Sequence, residues 1–266
     1  MPRKFLFLLA VASLGCLCAA AQDKEARDRL SAAHAQYYTP TASGLKSFRC
    51  DASIDWKAML SRFSGTDVPD DAPVLKLLQT VHLAVTDDLR GKGSLEWTTG
   101  GDVPEDKKAG FQQMQEGLQT AVSGFFQSWN AYVNGSMVPL PDNSVTLTKA
   151  GEGIHVSAAA NGMNIDEDFD KNMLLTQALV VSPTLKVLAT PTFAPTPDGL
   201  VVSSVMSQVH QPPDAPETDA TFRIDYTKVE SYQIPSHVVF DIKNTGVIEI
   251  GFSACKVTVA DWAKKQ

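Results

Sequence analysis

The sequence of 266 residues is poor in the residue types that usually carry catalysis, metal binding or nucleic-acid recognition. It contains five histidines and four cysteines, and no two histidines have the short spacing on one element that a zinc site needs. Its 23 basic residues are outnumbered by 30 acidic ones, so the formal net charge is −7 and phosphate backbones are repelled. We therefore expect neither a zinc enzyme nor a nucleic-acid-binding protein.

Long apolar runs are also absent except at the N-terminus, where the pattern predicts an export signal over residues 1–21. Arg3 and Lys4 precede an apolar run of about ten residues, which is too short to span a bilayer. Small residues at 19–21 then offer a cleavage site, so Gln22 is the expected new N-terminus.

The mature chain, residues 22–266, is accordingly expected to be periplasmic or secreted. Lipid anchoring at Cys16 is less favoured, because Ser13 stands where a lipobox has an aliphatic residue. The composition, with 44% hydrophobic and 20% charged residues, is that of a globular protein, and no internal repeat divides it. We predict one domain over residues 22–266.

Two cysteines, Cys50 and Cys255, remain after removal of the signal. An oxidising compartment favours one disulfide between them, which would tie the first strand to the last. Two separate buried thiols are the alternative. Neither cysteine has a histidine near it in sequence to activate a thiolate, so a catalytic cysteine is not expected.

Apolar residues at steps of three and four predict two amphipathic helices. The first covers residues 22–38 and ends before Pro40. The second covers residues 103–133, with Asp102 as its cap and Pro104 in its first turn.

Three glycines, Gly110, Gly117 and Gly124, repeat every seven residues along one edge of the second helix. Each costs up to about 1 kcal/mol of helix propensity, so their spacing indicates a close contact along that edge. Packing of the helix on a sheet is the simplest interpretation. A partner backbone or a ligand chain along the same edge is the alternative.

Residues 47–56 alternate strictly between apolar and polar side chains, which predicts a strand with one buried face. A brief helix is predicted at residues 74–78. A hairpin follows, formed by residues 80–87 and 94–99, with its turn at residues 91–93.

Beyond Pro141 the chain consists of short strands separated by turn signals. Their close spacing favours an antiparallel meander, since parallel strands would need crossover helices. The predicted fold class is therefore α+β, a curved antiparallel β-sheet (an incomplete barrel) with helices packed on its concave face. The predicted turns are at residues 161–162, 182–183, 197–199, 212–216 and 244–246.

One segment resembles a hydrolase motif and another a calcium loop, each only in part. Residues 251–255 resemble a nucleophile-bearing turn, but its last glycine is replaced by cysteine. The alternating residues Asp166, Asp168, Asp170 and Asn172 lack the following glycine and glutamate that a calcium loop needs. We interpret them as the solvent-facing side of a strand, with a calcium site as the alternative.

The chain resembles the outer-membrane lipoprotein-sorting family, which includes the periplasmic lipoprotein carrier and its receptor. At the N-terminal end, the resemblance lies in a helix that ends in Tyr37 and Tyr38, followed by residues 43–48, Ser-Gly-Leu-Lys-Ser-Phe. At the C-terminal end, it lies in a strand with a hydrophobic-x-x-Pro pattern before a final hairpin. The C-terminal segments concerned are residues 222–226, 229–235 and 248–257.

This resemblance implies a non-enzymatic carrier or sensor that uses no cofactor and shields acyl chains of a lipid or lipoprotein in an apolar cavity. Acyl transfer into such a cavity gains about 0.8 kcal/mol per buried methylene. A membrane-bound delivery or receptor protein is the further partner that the resemblance implies. The candidate lining residues are Phe48, Ala52, Ile54, Trp56, Val81, Leu83, Val85, Trp97, Phe111, Met114, Leu118, Val122, Phe125 and Trp129.

Two other functions stay open at this point. An exported protein-interaction or regulatory module with the same fold would have a filled interior and an exposed apolar patch. A secreted hydrolase would need polar side chains that converge in a cleft, and the sequence indicates no such cluster.

Overall fold

The computed structural model describes residues 24–91, 93–134, 137–139, 144–160, 162–243 and 246–263. The predicted export signal, with Cys16, lies outside the described residues, and so does the predicted new N-terminus. Parts of the predicted turns and loops also lie outside them, at residues 92, 135, 141, 161 and 244–245.

Most of the chain forms β-strands, and the strand bounds follow from alternating side chains between turn residues. The strands are β1 (Leu45–Ser53), β2 (Val81–Asp87), β3 (Ser94–Thr99), β4 (Val145–Ala150), β5 (Gly153–Ala160), β6 (Met163–Phe169), β7 (Leu175–Val181), β8 (Lys186–Thr196), β9 (Gly199–His210), β10 (Thr218–Val229), β11 (Tyr232–Ile242) and β12 (Gly246–Val259).

These strands form one open antiparallel sheet of 12 strands, in the order β3-β2-β1-β12-β11-β10-β9-β8-β7-β6-β5-β4. Every pair of neighbours in the sheet is also consecutive in the chain, apart from β1 and β12. The edges at β3 and β4 do not pair with each other, so the sheet curves without closing. The predicted α+β meander is therefore confirmed.

The helices lie on the concave face of this sheet. They are α1 (residues 24–34), α2 (Trp56–Ser64), α3 (Pro73–Leu78) and α4 (Lys108–Val133). One large apolar cluster joins the concave side of most strands to α1 and to the C-terminal part of α4. A second, smaller cluster joins α2, α3, β2 and the N-terminal part of α4.

The first helix ends four residues earlier than predicted, because its last residues bond to the sheet instead. The backbone N–H of Tyr38 donates to the carbonyl of Leu200 at 2.9 Å. The hydroxyl of Tyr37 accepts from the N–H of Leu175 at 2.8 Å, and that of Tyr38 accepts from the N–H of Gln233 at 2.9 Å. The two tyrosines thus connect the segment after α1 to β7, β9 and β11.

The first strand is also shorter than the alternating pattern predicts. β1 ends at Ser53, and Trp56 begins α2 instead of ending the strand. The side chain of Asp55 accepts a hydrogen bond from the N–H of Ala58 at 2.9 Å and so caps α2. This cap replaces the last strand residues with a helix that the sequence pattern did not indicate.

The long helix begins five residues later than predicted. Pro104 is extended, with ψ of 142°, and residues Glu105–Lys107 form a single 3-10 turn before α4. Asp102 therefore does not cap the helix, and no side chain caps α4 at Lys107. The C-terminal end at Val133 is as predicted.

The predicted disulfide is present. Cys50 on β1 is bonded to Cys255 on β12, 205 residues later in the chain. The bond connects the two strands through which the two halves of the meander meet.

We predict that removing this disulfide lowers the free energy of unfolding by about 5 kcal/mol in the chain-entropy model, because the closed loop is long. Urea unfolding of the double variant Cys50→Ser/Cys255→Ser, compared with the oxidised protein, measures the loss. Equal midpoints for the two proteins would contradict the prediction.

Candidate functional site

The candidate lining residues are all buried or half-buried, but the structure distributes them over two apolar clusters. Whether any of them binds a ligand stays a prediction. Ala52 and Ile54 contact both clusters. The large cluster contains Phe48, Val85, Val122, Phe125 and Trp129, whereas the smaller one contains or contacts Trp56, Val81, Leu83, Trp97, Phe111, Met114 and Leu118.

Helix and sheet contact each other directly around the C-terminal part of α4. The ring of Phe125 lies 5.6 Å from that of Phe240 on β11, in an edge-to-face arrangement. The ring of Phe126 lies 6.0 Å from that of Phe252 on β12 and 5.7 Å from that of Phe48 on β1. Aromatic side chains therefore occupy the space between α4 and the middle of the sheet.

The same part of α4 is joined to the sheet by hydrogen bonds. Trp129 Nε1 donates to the hydroxyl of Tyr226 at 2.9 Å, and that hydroxyl donates to the carbonyl of Val202 at 2.7 Å. Asn130 Nδ2 donates to Oδ1 of the fully buried Asp87 at 3.0 Å. Burial raises the pKa of Asp87 to about 6, although the hydrogen bond from Asn130 opposes the shift. These contacts hold the C-terminal part of α4 on β2, β9 and β10.

The N-terminal part of α4 is held far more weakly. Between residues 108 and 121, Phe111 and Leu118 alone are buried. The glycine edge does not pack on the sheet. A Cβ built at Gly110, Gly117 or Gly124 meets nothing within 4 Å, and each glycine is exposed. The close contact that their spacing indicates is therefore not made by any described residue.

An open groove of about 620 Å³ lies between this part of α4 and the end of β3. One wall is formed by Thr99 and residues 101–103. The other wall is the face of α4 that carries Lys108, Phe111, Gln112, Gln115, Glu116 and Gln119. We call this space the β3–α4 groove. Phe111 connects it to the smaller apolar cluster, of which it is also a member.

The strand that borders the groove is an edge strand. β3 pairs with β2 on one side and with no other described strand. The N–H of Leu95 points away from β2 and donates to Oε1 of Gln119 at 2.9 Å. Because N–H and C=O directions alternate along a strand, those of Trp97 and Thr99 point to the same side as those of Leu95. The open edge therefore offers backbone donors and acceptors along α4.

One side chain that packs against the smaller cluster has a buried polar atom without a hydrogen-bond partner among the described residues. Trp97 packs edge-to-face against Trp56 at 5.6 Å and against Phe111 at 5.2 Å. Its indole Nε1 is buried and has no hydrogen-bond partner among the described residues. Such a donor costs about 1–3 kcal/mol, which a ligand oxygen could recover.

A polar cluster that sequence reasoning missed lies on the convex face of β5 and β6. His155 Nδ1 donates to Asp168 Oδ1 at 2.8 Å, and His155 Nε2 lies 3.1 Å from Ser157 Oγ. These distances match those of a hydrolase triad. The register of the β5–β6 hairpin places His155 opposite Asp168 and Ser157 opposite Asp166. The sequence could have indicated this cluster only if that register had been known.

Two features argue against hydrolysis at this cluster. The hydroxyl of Ser157 donates to Asp166 Oδ1 at 2.7 Å, and a carboxylate only accepts, so this proton is not directed to His155. β5 is also paired on both sides, with β4 and β6, which commits the backbone N–H groups that an oxyanion hole would need. We interpret the cluster as a hydrogen-bonded surface ladder.

No metal centre is evident among the described residues, where no group of three or more His, Cys, Asp or Glu side chains is arranged to hold an ion. Asp166 and Asp168 face His155 as above, and Asp170 instead accepts from the N–H groups of Asn172 and Leu174 within its own turn. Within the described part of the chain, no helix has the length and apolar character to cross a bilayer.

No protein-family model matches this chain, and comparisons with curated proteins and with solved structures found no match either.

A buried carboxyl group lies on the other half of the concave face. Glu167 on β6 is 1% exposed, and its Oε1 has no hydrogen-bond partner among the described residues. Burial raises its pKa from 4.5 to about 9, and the neighbouring Asp166 adds to the shift. Glu167 is therefore protonated at neutral pH.

We predict that Glu167→Gln removes part of the pH dependence of stability. Because the folded state holds this proton and the unfolded state releases it above about pH 4.5, the free energy of unfolding falls as pH rises to about 9. The slope is at most about 1.4 kcal/mol per pH unit. Urea unfolding at about pH 5, 7 and 9 measures it, and parallel curves for the two proteins would exclude this origin.

We also predict that Gly117→Ala raises the free energy of unfolding by about 0.4–1 kcal/mol, because the new methyl group meets open space and favours the helix. Gly93→Ala is the matched control. Its Cβ would lie 2.1 Å from a ring carbon of Phe126, so this variant should be less stable than wild type. Thermal unfolding of both variants gives the signs, and a destabilised Gly117→Ala would show an unseen contact at that edge.

Proposed function

We propose that this chain is an exported, non-enzymatic binding protein that shields acyl chains of a lipid or lipoprotein. The resemblance to the outer-membrane lipoprotein-sorting family supports it, as does the N-terminal export pattern. The open curved sheet with a helix across its concave face is the architecture that the resemblance implies. In this proposal the acyl chain lies between the N-terminal part of α4 and β2–β3.

One observation carries this position of the ligand. The smaller apolar cluster lies under the part of α4 that buries about one side chain every second turn, and Phe111 connects it to the β3–α4 groove. Outward movement of α4 at this end would break few contacts. The C-terminal part of α4, with Phe125 and Trp129, would stay in place as the fixed end.

The energetics favour a ligand with an apolar chain and an oxygen-bearing head group. Each methylene that replaces water-exposed surface in the cluster gains about 0.8 kcal/mol. The unpartnered indole N–H of Trp97 could donate to a carboxylate or ester oxygen at the head of the chain. A wholly apolar ligand would leave that donor unsatisfied.

A second candidate function is favoured by a specific observation. The aromatic contacts around Phe125 and Phe126 close the interior between α4 and the middle of the sheet. A filled interior is what an exported protein-interaction module would have. In that case the β3–α4 groove would take a protein segment and no acyl chain.

We predict that purified protein retains a fluorescent fatty acid and that Met114→Asp weakens this retention at least about five-fold, since a carboxylate beside the acyl chain must be desolvated. Met114 is half-buried beside the smaller cluster. Met206→Asp is the matched control, because Met206 is 56% exposed on β9 and distant in the sheet order from β3. Leu118→Asp should have a larger effect, with a cost in stability because Leu118 is 3% exposed.

Native mass spectrometry of the purified protein is the independent measurement. If no lipid is bound and the wild-type protein does not retain the fatty acid, the acyl-binding proposal is wrong and the interaction module remains. Equal losses in both methionine variants would show that the effect is not located under α4.

A further inference from the structure

We infer that the β3–α4 groove binds a short, extended, basic peptide by adding it as a strand to the open edge of β3. This inference rests on the proposed function only in taking the chain to be a binding protein. If the ligand is a lipoprotein, the groove would take a polypeptide segment beside the acyl chain.

The open edge of β3 has hydrogen-bonding capacity for a further strand. Side-chain Oε1 of Gln119 accepts from the N–H of Leu95 at 2.9 Å, in the place where a neighbouring strand would present a carbonyl. The backbone groups of Trp97 and Thr99 point to the same side as those of Leu95, and Thr99, at the end of β3, lines the groove. An added strand would satisfy them in the way that Gln119 satisfies Leu95.

The opposite wall of the groove carries side-chain amides. Gln112, Gln115 and Gln119 lie on the face of α4 that borders the groove. Gln119 Oε1 accepts from Leu95 and Gln112 Nε2 donates to Glu116 Oε1 at 2.9 Å, yet each side-chain amide keeps further donor and acceptor sites of the kind that a peptide backbone pairs with. An acyl chain offers no partner to these amides. The walls of the groove therefore suit a polypeptide, whereas the apolar cluster beneath Phe111 suits a hydrocarbon.

The charge of the groove favours a basic occupant. The groove carries the carboxylates of Asp102 and Glu116. Its one lysine, Lys108, forms an exposed ion pair with Glu105, whose carboxylate adds a further negative charge beside the groove. The chain as a whole has a net charge of −7, so a second copy of it is repelled from this site. A basic peptide is the complementary occupant.

The groove also limits the length of the bound segment. Residues 97–99 span about 10 Å along the strand, which three to four residues of an added strand would cover. The volume of about 620 Å³ lies within the range that binding pockets for small ligands occupy. The remainder of a longer polypeptide would lie outside.

The test uses the full mature protein and a fluorescein-labelled peptide of alternating lysine and valine, about six residues long. We expect saturable binding in a fluorescence-anisotropy titration that weakens as salt is added. The same peptide with an N-methyl group on every backbone nitrogen should bind about ten-fold more weakly, since neither edge of it keeps the donors of an added strand. A peptide of alternating glutamate and valine should not bind.

Two variants locate the site. Gln115→Ala should weaken binding about five-fold, through loss of one hydrogen bond. Gln113→Ala is the matched control, because Gln113 is equally exposed on α4 but does not line the groove. Hydrogen exchange should show slower exchange of the backbone amides of Trp97 and Thr99 when the peptide is bound.

The outcomes separate this inference from the proposed function. Equal affinity for the N-methylated peptide, or unchanged exchange at Trp97 and Thr99, would overturn strand addition whether or not fatty acid is retained. Peptide binding without fatty-acid retention would uphold the inference and overturn acyl binding. Tighter binding of the acidic peptide would overturn the charge argument.

Discussion

The structure depends on the packing of the C-terminal part of α4 against the middle of the curved sheet. Phe125 and Phe126 contact aromatic rings on several strands, and Trp129 and Asn130 add hydrogen bonds to the sheet. A sheet of this width would otherwise expose a large apolar surface on its concave face. Because the helix is fixed at this end, its N-terminal part is directed along the edge strand β3.

The same constraint produces the candidate site. A helix held at one end leaves the other end with few contacts, and the exposed glycines lower its helical propensity further. The result is a groove bordered by a strand edge, an amide-bearing helix face and one aromatic residue, Phe111. The groove adjoins an apolar cluster whose indole donor, on Trp97, has no partner among the described residues. The tight packing of α4 on the middle of the sheet and its weak packing beside β3 thus have the same cause.

The sequence predicted the order of the strands well but the ends of the elements less well. Short strands between turns allow little other than a meander, and the prediction of one disulfide between Cys50 and Cys255 was favoured over two separate thiols and is confirmed. Alternation continues through Trp56 in the sequence, yet a side-chain cap at Asp55 begins a helix there. Tyr37 fits the stripe of α1 but bonds to β7 instead. In both cases a specific hydrogen bond overrides the periodic pattern. The pattern itself contains no information about such a bond.

Periodicity alone determined which face of each element is apolar, and with it the class of fold. Only the tertiary structure decided which apolar residues form closed core and which border the groove, because Phe111 and Phe125 occupy equivalent positions in the same stripe. Likewise, only the register across the β5–β6 turn brings His155 beside Asp168. The physical reason is that a pattern along the chain specifies the direction of a side chain, whereas its partner is set by contacts between distant segments.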